Sequence, residues 1–460
     1  IVDGRLERDP VAVIAPLLPR ALCLGVSVLT GAPIADALAV SRAVKARAPR
    51  LPVVWGGWHP SLFPAGCLAD AAVDVTVQAQ GEATFAAIVA ALAGGAAAAD
   101  LVGVPGCVVR RAGGDAGDRV DAVHHNPPRP LIAADDLPAH DYGLIDVPAF
   151  FGRKGLRQLD YITSYGCHFR CDFCADPFVY GRRWTGLAPE RVVHELDGLW
   201  RRYGFDDVSF QDETLFTHAE RVTAMAEGFL GLGHGFSWAG TLRADQAARM
   251  SDAELAHCRR AGLRRVLVGV ESGSQAMLDW MHKDIRLEQV HETAARCKAL
   301  GIAVQFPFIV GFPGESAASV DATLGLAARL RLISPTFETP VFYFKPYPGS
   351  AITQAAVRDG HALPESLDEW STFDLDAGTG PWVARRTHRR TERYKHYASL
   401  AWRARPAWRR PVAAAARWRL RRGWYGAPVE AWGRGVVPWA RALRPSSRRG
   451  EALTGGGRDS

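Results

Sequence analysis

The sequence contains no long apolar run. No stretch offers about 18 strongly apolar residues, the length that a helix needs to span a bilayer. The longest uncharged run, residues 83–99, is mostly Ala and Gly and is typical of a soluble helix and its end. Hydrophobic residues make up 48% and charged residues 22% of the chain, which excludes extensive disorder and collagen. At about 100–200 residues per domain, the length predicts two or three domains.

Cysteine is scarce, and its spacing excludes a disulfide framework. The cysteines are Cys23, Cys67, Cys107, Cys167, Cys171, Cys174, Cys258 and Cys297. Three of them fall within one short segment and five are scattered, whereas a disulfide scaffold spreads paired cysteines through a small chain. No signal peptide is visible, which favours a reducing cytosol. Because the chain begins with Ile1 rather than Met, we expect it to be part of a longer reading frame.

The net charge of +7 is the sum over two parts of the sequence whose charges have opposite signs. Residues 385–450 contain 19 Lys and Arg against 2 acidic residues, a balance of +17. The remaining residues have 36 basic and 46 acidic side chains, a balance of −10. Such an asymmetry predicts a tail that binds a surface.

Tryptophans are interleaved with arginines in this tail, at positions 402, 408, 418, 424, 432 and 439. One interpretation is a helical cap whose tryptophans pack inward and whose arginines are solvated. Another is peripheral contact with an anionic membrane, since guanidinium binds phosphate and indole favours the headgroup boundary. Nucleic acid would also match the charge, but no recognisable module accompanies it and we do not expect it as a partner. The expected location is cytoplasmic, with membrane association left open.

Alternating strands and helices predict an α/β protein. The strand-like runs of the N-terminal part are residues 22–28, 52–55 and 73–77, with helical spacing at 34–48 and 82–92. This order predicts a parallel, Rossmann-like sheet, in which ligands bind beyond the carboxyl ends of the strands. The loops to inspect are therefore residues 27–31, 56–60 and 78–82.

A second alternating region predicts a partial (β/α)6 barrel, with chemistry on the loops after its strands. Its predicted strands are residues 159–164, 207–212, 236–241, 265–270, 304–310 and 337–343, and its predicted helices include 189–203, 219–230, 252–261 and 287–300. The predicted domains are residues 1–125, a Pro- and Asp-rich linker at 126–154, the barrel at 155–350 and a helical basic region at 351–460.

Cys167, Cys171 and Cys174 carry the strongest chemical signal, a C-x3-C-x2-C spacing directly after the first barrel strand. Three thiolates on one loop suit an iron–sulfur cluster, and three ligands on a [4Fe–4S] cluster leave one iron open. The alternatives are incidental cysteines or a zinc site. Zinc would usually require a fourth ligand at structural spacing, and His168 lies awkwardly inside the loop.

This motif, with the aromatic Phe173 before the third Cys, resembles the radical S-adenosylmethionine (SAM) signature, and the likeness extends over about residues 155–350. The resemblance implies that the three cysteines hold the cluster and that the open iron chelates SAM. It also implies that one electron cleaves SAM to a 5′-deoxyadenosyl radical. Less specific matches imply SAM contacts at Phe173, Asp212, Glu213, Arg243, Glu271 and Gly311. The other five cysteines offer no second three-thiolate site, so we expect no auxiliary cluster.

The N-terminal residues resemble the cobalamin-binding domain that precedes the barrel in one radical SAM class. The matching residues are Ser27, Thr30, Gly56, Gly57, His59, Gly81 and Glu82. The resemblance implies bound cobalamin. The Asp-x-His-x-x-Gly motif, which gives cobalt a lower His ligand in many cobalamin proteins, is absent, and His59 is interpreted as a loop residue near the corrin. The domain is expected to start at its second strand. A degenerate domain that no longer binds cobalamin is the alternative.

Together these features predict a cobalamin-dependent radical SAM methyltransferase acting on an unactivated carbon, or on phosphorus, of a lipid or secondary metabolite. The resemblance implies that a substrate radical takes its methyl group from methylcobalamin. A second SAM molecule then methylates the cobalamin again. An electron donor of flavodoxin or ferredoxin type is expected. The alternatives are a radical cyclisation, oxidation or rearrangement without methyl transfer, and a redox-sensing binding protein.

Overall fold

The computed structural model describes residues 1–111, 123–373, 380–402 and 410–426. The chain forms two compact units, Ile1–His388 and Arg389–Ser460. Trp408, Trp432 and Trp439, which belong to the predicted surface-binding tail, lie outside the described residues. Among the helices that are described, none is long and apolar enough to cross a bilayer.

The first sheet of the larger unit has five strands in chain order. They are β1 Leu24–Ser27, β2 Val53–Gly56, β3 Val75–Val77, β4 Cys107–Arg110 and β5 Val123–His125. β1, β2 and β3 are parallel, as predicted, and β4 and β5 continue the sheet in antiparallel fashion. The associated helices are α1 Pro10–Ile14, α2 Pro33–Arg47, α3 Trp58–Leu62, α4 Pro64–Leu68 and α5 Glu82–Ala93.

β2 is the buried centre of this sheet. Val53, Val54 and Trp55 are all at most 2% exposed, because helices cover both faces of a parallel sheet. The Trp55 indole donates a hydrogen bond of 3.0 Å to Ser41 of α2, so its polar atom is satisfied inside the core. The core on the Trp55 side also includes Trp370, which lies far along the chain.

The predicted linker is a strap packed on the second sheet. It contains 3-10 turns at Ala134–Asp136 and Tyr142–Leu144 and the helix α6 Val147–Lys154. The Arg191 guanidinium donates hydrogen bonds to the carbonyls of Ala134, Asp135 and Leu137. One side chain of the barrel therefore holds the first of these turns in place.

The second sheet is the predicted partial barrel. Its six parallel strands adjoin in chain order: β6 Gln158–Tyr161, β9 Asp207–Phe210, β10 Ser237–Thr241, β11 Leu263–Leu267, β12 Ala303–Gln305 and β14 Phe337–Glu338. Between β6 and β9, β7 Ser164–Gly166 and β8 Trp184–Gly186 form an antiparallel pair. The last two predicted strands are each broken, at Pro307 and Pro340, because proline cannot donate to the ladder. Their continuations, β13 Phe308–Val310 and β15 Val341–Tyr343, pair with each other.

Helices connect these strands and follow the last one. They are α7 Asp176–Val179, α8 Pro189–Tyr203, α9 Ala219–Leu232, α10 Ala244–Arg249, α11 Asp252–Arg260, α12 Gln275–Trp280, α13 Leu287–Ala299, α14 Ala317–Ile333, α15 Ala351–Arg358 and α16 Leu367–Trp370. α8 starts at a proline, which suits a first helical position, and ends before Gly204, whose φ of 59° terminates the helix.

The described part of the second unit is a pair of helices. α17 spans Arg385–Trp402, of which residues 389–402 belong to this unit, and α18 spans Arg410–Arg422. Arg417 of α18 donates a 3.0 Å hydrogen bond to the Ala401 carbonyl, and Tyr394 packs edge-on against Tyr425. The two helices therefore pack against each other.

Candidate cofactor sites

The cysteine loop lies between β7 and β8, beyond the carboxyl end of β6. It begins at Gly166, whose φ is +77° and whose added Cβ would lie 2.3 Å from the Arg183 carbonyl oxygen. Only glycine fits there, because a side chain would clash with backbone and strain φ. The loop therefore leaves the hairpin in one fixed direction, and Cys167 follows immediately.

Residues 281–284, which follow α12, hold this loop through hydrogen bonds and an ion pair. The Asp172 amide donates to the Met281 carbonyl at 3.0 Å, and the Asp172 carboxylate contacts His282 Nδ1 at 2.6 Å. Arg170 forms a 2.8 Å ion pair with Asp284. The loop also contains a turn, in which the Cys174 amide donates to the Cys171 carbonyl. Main-chain and side-chain contacts thus preorganise a loop that has no regular secondary structure.

Two buried cations lie beside Cys171. Arg243 Nη1 is 3.6 Å from the Cys171 sulfur, and its guanidinium lies over the Phe169 ring at 3.5 Å. Arg243 Nη2 donates to the Lys283 carbonyl at 2.6 Å, which couples the two basic residues. Each cation already has a carboxylate partner at 2.8 Å, Asp245 for Arg243 and Glu271 for Lys283, which holds both cations beside the cysteine loop.

Lys283 was not identified from the sequence. Its ammonium lies 2.8 Å from Glu271 and 5.6 Å from the Phe173 ring centroid, and its side chain is only 8% exposed. Glu271 itself has a φ of +66°, an uncommon backbone conformation for a non-glycine residue. A lysine in a helix–loop segment gives no periodic signal, so only the fold reveals that it turns inward.

Burial raises the pKa of the Cys167 thiol to about 11 and that of Cys174 to about 12. Metal binding is needed to ionise them, since a coordinated thiol is deprotonated outright. Among the described residues, no group of three or more His, Cys, Asp or Glu side chains is arranged to hold a single metal ion. A cluster of several irons spaces its thiolates more widely than a single ion does.

The two acidic residues at the end of β9 have different environments. Asp212 is buried and accepts hydrogen bonds from Thr163 Oγ1, at 2.6 Å, and from the Ser164 hydroxyl. Glu213 has a buried oxygen, Oε2, without a hydrogen-bond partner among the described residues, and burial raises its pKa to about 7. Asp212 is therefore engaged in holding the junction between β6 and β7, whereas Glu213 retains an acceptor for a cation.

Asp176, two residues after the last cysteine of the loop, is a further carboxylate that the sequence did not single out. It is 2% exposed, and neither oxygen has a hydrogen-bond partner among the residues described. Burial, and then the charge of Glu213, raise its pKa to about 8, which the nearby Cys167 amide only partly opposes. Buried polar atoms without partners are costly. Their concentration here fits a pocket whose polar ligand completes it.

The segment after β13 is held rigidly. Gly311 has a φ of +78°, its amide donates to Glu315 Oε2 at 2.6 Å, and its carbonyl accepts from the Trp382 indole at 2.7 Å. The next residue, Phe312, packs edge-on against Phe173 of the cysteine loop. Gly311 and Phe173, separated along the chain, are thus brought into one region.

The carboxyl edge of the first sheet brings Thr30 and His59 together. The Thr30 hydroxyl lies 3.2 Å from His59 Nδ1, and Trp370 packs edge-on against the imidazole. Burial lowers the pKa of His59 to about 4, so the ring is neutral at pH 7. Its Nε2 has no partner within the described ranges.

Gly57 lets two strand-end loops approach closely. Its φ is +96°, and an added Cβ would lie 2.9 Å from the Val28 carbonyl and 3.2 Å from Ser27 Oγ. Gly56 is less constrained, and Gly81 would place a Cβ 3.1 Å from Val77. Residues 27–30, 56–59 and 81–82 thus form a tight backbone cradle at this edge of the sheet. Such a cradle is of the kind that accepts a large ligand at the ends of parallel strands.

The cradle faces the cysteine loop of the barrel. Trp58 packs edge-on against Tyr180 at a centroid distance of 6.2 Å. The charge of Glu82, at the start of α5, contributes to raising the pKa of Tyr165 and Tyr180, although burial is the main cause. Loop residues at the carboxyl edge of the first sheet therefore contact residues around the cysteine loop of the barrel.

Two protein-family models match this chain, one over the barrel and one over the first sheet. Residues 161–327 match the Radical SAM superfamily, and residues 10–89 match the B12 binding domain. With the fold and the cysteine loop, these matches define a radical SAM enzyme. It belongs to the group of this superfamily that carries an N-terminal cobalamin-binding domain. Its cofactors are a [4Fe–4S] cluster, SAM and cobalamin.

Several curated proteins are similar to this chain in sequence. The chain is 28% identical over 378 residues to the uncharacterized methyltransferase PH0819 of Pyrococcus horikoshii, covering 81% of this chain and 78% of the relative. It is 25% identical to cytidylyl-2-hydroxyethylphosphonate methyltransferase of Streptomyces wedmorensis, covering 67% and 62%. It is also 25% identical to the anaerobic magnesium-protoporphyrin IX monomethyl ester cyclase of Rubrivivax gelatinosus, covering 61% of this chain and about half (49%) of that relative.

Solved structures share the fold. The cobalamin-dependent radical enzyme OxsB superposes with a TM-score of 0.69 at 18% identity, covering 90% of this chain and 64% of OxsB. The radical SAM methyltransferase TsrM from Kitasatospora setae, with tryptophan substrate and a SAM analogue bound, superposes with a TM-score of 0.62 at 16% identity. That match covers 77% of this chain and 69% of TsrM.

Proposed function

We propose that this chain transfers a methyl group from SAM to an unactivated carbon, or to phosphorus, of a small molecule or lipid. The observation that carries the proposal is the meeting of the cobalamin cradle with the cysteine loop through Trp58 and Tyr180. A substrate between them would lie within reach of both cofactors. Several relatives are named methyltransferases, and one is named for a small phosphonate.

The bound cofactors supply the radical and the transferable methyl group, and the protein holds and aligns them. Cys167, Cys171 and Cys174 are the proposed cluster ligands. Glu213 would accept the methionyl ammonium with its unpaired oxygen, and Arg243 would face the methionyl carboxylate. Asp212 supports the site by fixing Thr163 and Ser164.

Lys283 is a second candidate for the methionyl carboxylate. It lies beside Arg243 and Phe173 and is balanced by Glu271, so the cation is held in place before a ligand arrives. Glu271 and Gly311 would approach the adenosyl part of SAM from the neighbouring strand ends, with Phe173 closing the side next to the cysteines.

In the first sheet, Ser27, Thr30, Gly56, Gly57, His59, Gly81 and Glu82 are the proposed cobalamin contacts. Thr30 and His59 would act as a pair, because their side chains already lie within hydrogen-bond distance. A neutral, buried His59 with Trp370 packed on it would help to exclude water from the cradle. A reductant of flavodoxin or ferredoxin type would supply the electron, and the tail is proposed to contact a membrane.

The experiment is anaerobic incubation of the reconstituted protein, a strong reductant and trideuteromethyl SAM with metabolite extract from a strain lacking the gene. We expect a metabolite carrying the trideuteromethyl group, together with 5′-deoxyadenosine. Cys167→Ala protein is the control. Formation of 5′-deoxyadenosine and a modified but unlabelled metabolite would instead establish radical oxidation, cyclisation or rearrangement, the reaction type suggested by the cyclase relatives.

The Gly57→Ala change should weaken cobalamin binding and leave the cluster intact. Its Cβ would lie 2.9 Å from the Val28 carbonyl, and a φ of +96° is strained for alanine, at a cost of about 1–3 kcal/mol. We expect cobalamin affinity to fall about tenfold or more, measured as bound cobalamin per chain after gel filtration, with iron content unchanged.

Gly95→Ala is the matched control. Gly95 has a similar φ of +93°, but an added Cβ would meet nothing within 4 Å. It should therefore retain cobalamin. Equal cobalamin binding by both variants would contradict the proposed cradle.

A further inference from the structure

We propose that an outward face of the second unit binds the surface of an anionic lipid bilayer. This indole–arginine face consists of Trp418, Trp424, Arg421 and Arg422. The inference rests on the membrane contact proposed above for the tail, to which it assigns residues and a lipid charge. It is independent of the proposed methyl transfer, because none of these residues belongs to the cofactor sites.

Two neighbouring indoles are half-exposed on this face. Trp418 is 50% exposed and Trp424 is 47% exposed, and their rings meet edge to face with a centroid distance of 5.8 Å. Exposed apolar side chains are unremarkable singly, but contiguous ones mark contact sites. Indole has an apolar body and a polar N–H, which suits the boundary between lipid headgroups and acyl chains.

Helical spacing separates this face from the packed side of α18. Beyond its first two residues, which are also exposed, the exposed positions of α18 are Ala414, Trp418, Arg421 and Arg422, and the buried positions are Ala413, Ala416, Arg419 and Leu420. The first set recurs at intervals of three and four residues, so it forms one outward stripe. An amphipathic helix with tryptophan and arginine on its outward side is suited to lie on a membrane surface.

The buried Arg419 side chain packs against Trp424 and holds its ring in the exposed position. The Arg419 guanidinium is buried, lies 4.2 Å from the Trp424 ring centroid and 5.0 Å from that of Tyr397, and donates to the Gly426 carbonyl at 2.7 Å. An indole held in this way loses little side-chain freedom on contact with a partner, which favours binding.

Charge complementarity identifies the partner as anionic. The described part of the second unit, residues 389–402 and 410–426, contains nine basic residues and one acidic residue, Glu392, a net charge of +8. No acidic residue occurs from Arg410 to Gly426. Basic clusters of this kind are attracted to the negative surface of membranes that contain acidic lipids.

The ring geometry favours a bilayer over a nucleic acid. The planes of Trp418 and Trp424 are at 90° to each other, so the two rings cannot both stack within one continuous run of bases. Insertion into the headgroup layer requires only depth and an apolar edge, which both rings present.

The test is flotation of the full-length reconstituted protein with lipid vesicles. We expect it to bind phosphatidylcholine vesicles containing phosphatidylserine, to bind pure phosphatidylcholine much more weakly, and to dissociate at high salt. The Arg421→Gln/Arg422→Gln variant should lose about thirtyfold in affinity, from the loss of two charges near the surface. Trp418→Ala should lose about tenfold and, unlike Trp424→Ala, leaves the Arg419 contact untouched.

Matched controls are Arg259→Gln/Arg260→Gln, an exposed arginine pair on α11, and Trp280→Ala, which is 46% exposed on the larger unit. Both should bind vesicles like the wild type. Wild-type protein that fails to bind anionic vesicles would overturn the proposal, as would unchanged binding by both face variants. Binding of single-stranded oligonucleotide but not of vesicles, lost in the face variants, would also overturn it in favour of nucleic acid.

Discussion

Replacing Cys167 with alanine is expected to abolish the iron–sulfur cluster and the reductive cleavage of SAM to 5′-deoxyadenosine. The loop provides three thiols, and a cluster held by three protein ligands has no spare one in the protein. Iron and sulfide should fall to background in anaerobically reconstituted Cys167→Ala, and the same holds for Cys171→Ala and Cys174→Ala.

The scattered cysteines provide matched controls. Cys23 lies just before β1 and Cys258 lies on α11, and neither is near the loop in sequence. Cys23→Ala and Cys258→Ala should keep full iron and sulfide and full formation of 5′-deoxyadenosine. Stoichiometric iron retained by Cys167→Ala would contradict the ligand assignment.

Glu213→Gln is expected to weaken SAM binding strongly while the cluster remains. A hydrogen bond between charged groups contributes about 1.5–3 kcal/mol, so affinity should fall roughly 10- to 100-fold. In the wild type, SAM affinity should also fall as the pH drops below about 7, because the raised pKa of Glu213 leaves its carboxyl protonated there. Glu213→Gln should lack that pH dependence, which a purely structural role would not produce.

The Asp212→Asn change tests whether the neighbouring carboxylate has a structural role and does not bind SAM as Glu213 does. Its Oδ1 accepts from the Thr163 and Ser164 hydroxyls and its Oδ2 accepts from the Thr163 backbone amide, and an asparagine cannot accept at both atoms. We therefore expect a lower thermal midpoint, from a loss of about 1–3 kcal/mol, with SAM affinity changed less than in Glu213→Gln. Equal loss of affinity in both variants, with equal stability, would contradict the distinction.

Much of the fold followed from periodicity. The predicted helix at residues 189–203 has the bounds of α8, because an amphipathic pattern begins at a proline and ends at a glycine. The barrel strands were predicted because buried parallel strands are short apolar runs between helices. The antiparallel strands β4 and β5 were missed, because each is only a few residues long and neither alternates with a helix.

The candidate sites were less accessible from the sequence. Spacing identified three cysteines on one loop, but it could not distinguish Asp212, which is engaged by Thr163 and Ser164, from Glu213, which has an unpaired oxygen. It also could not reveal Lys283 or Trp370, whose burial depends on segments far away along the chain. The domain boundaries drawn from composition remain predictions.

The most direct test of the central claim measures two products of SAM in one anaerobic single-turnover experiment. Protein loaded with cluster and cobalamin, then reduced, should form both 5′-deoxyadenosine, from reductive cleavage, and S-adenosylhomocysteine, from methyl donation. Cys167→Ala should lose the first product, and Gly57→Ala should lose the second while keeping the first. Formation of 5′-deoxyadenosine without any cobalamin-dependent S-adenosylhomocysteine would contradict methyl transfer, and formation of neither product would contradict the account as a whole.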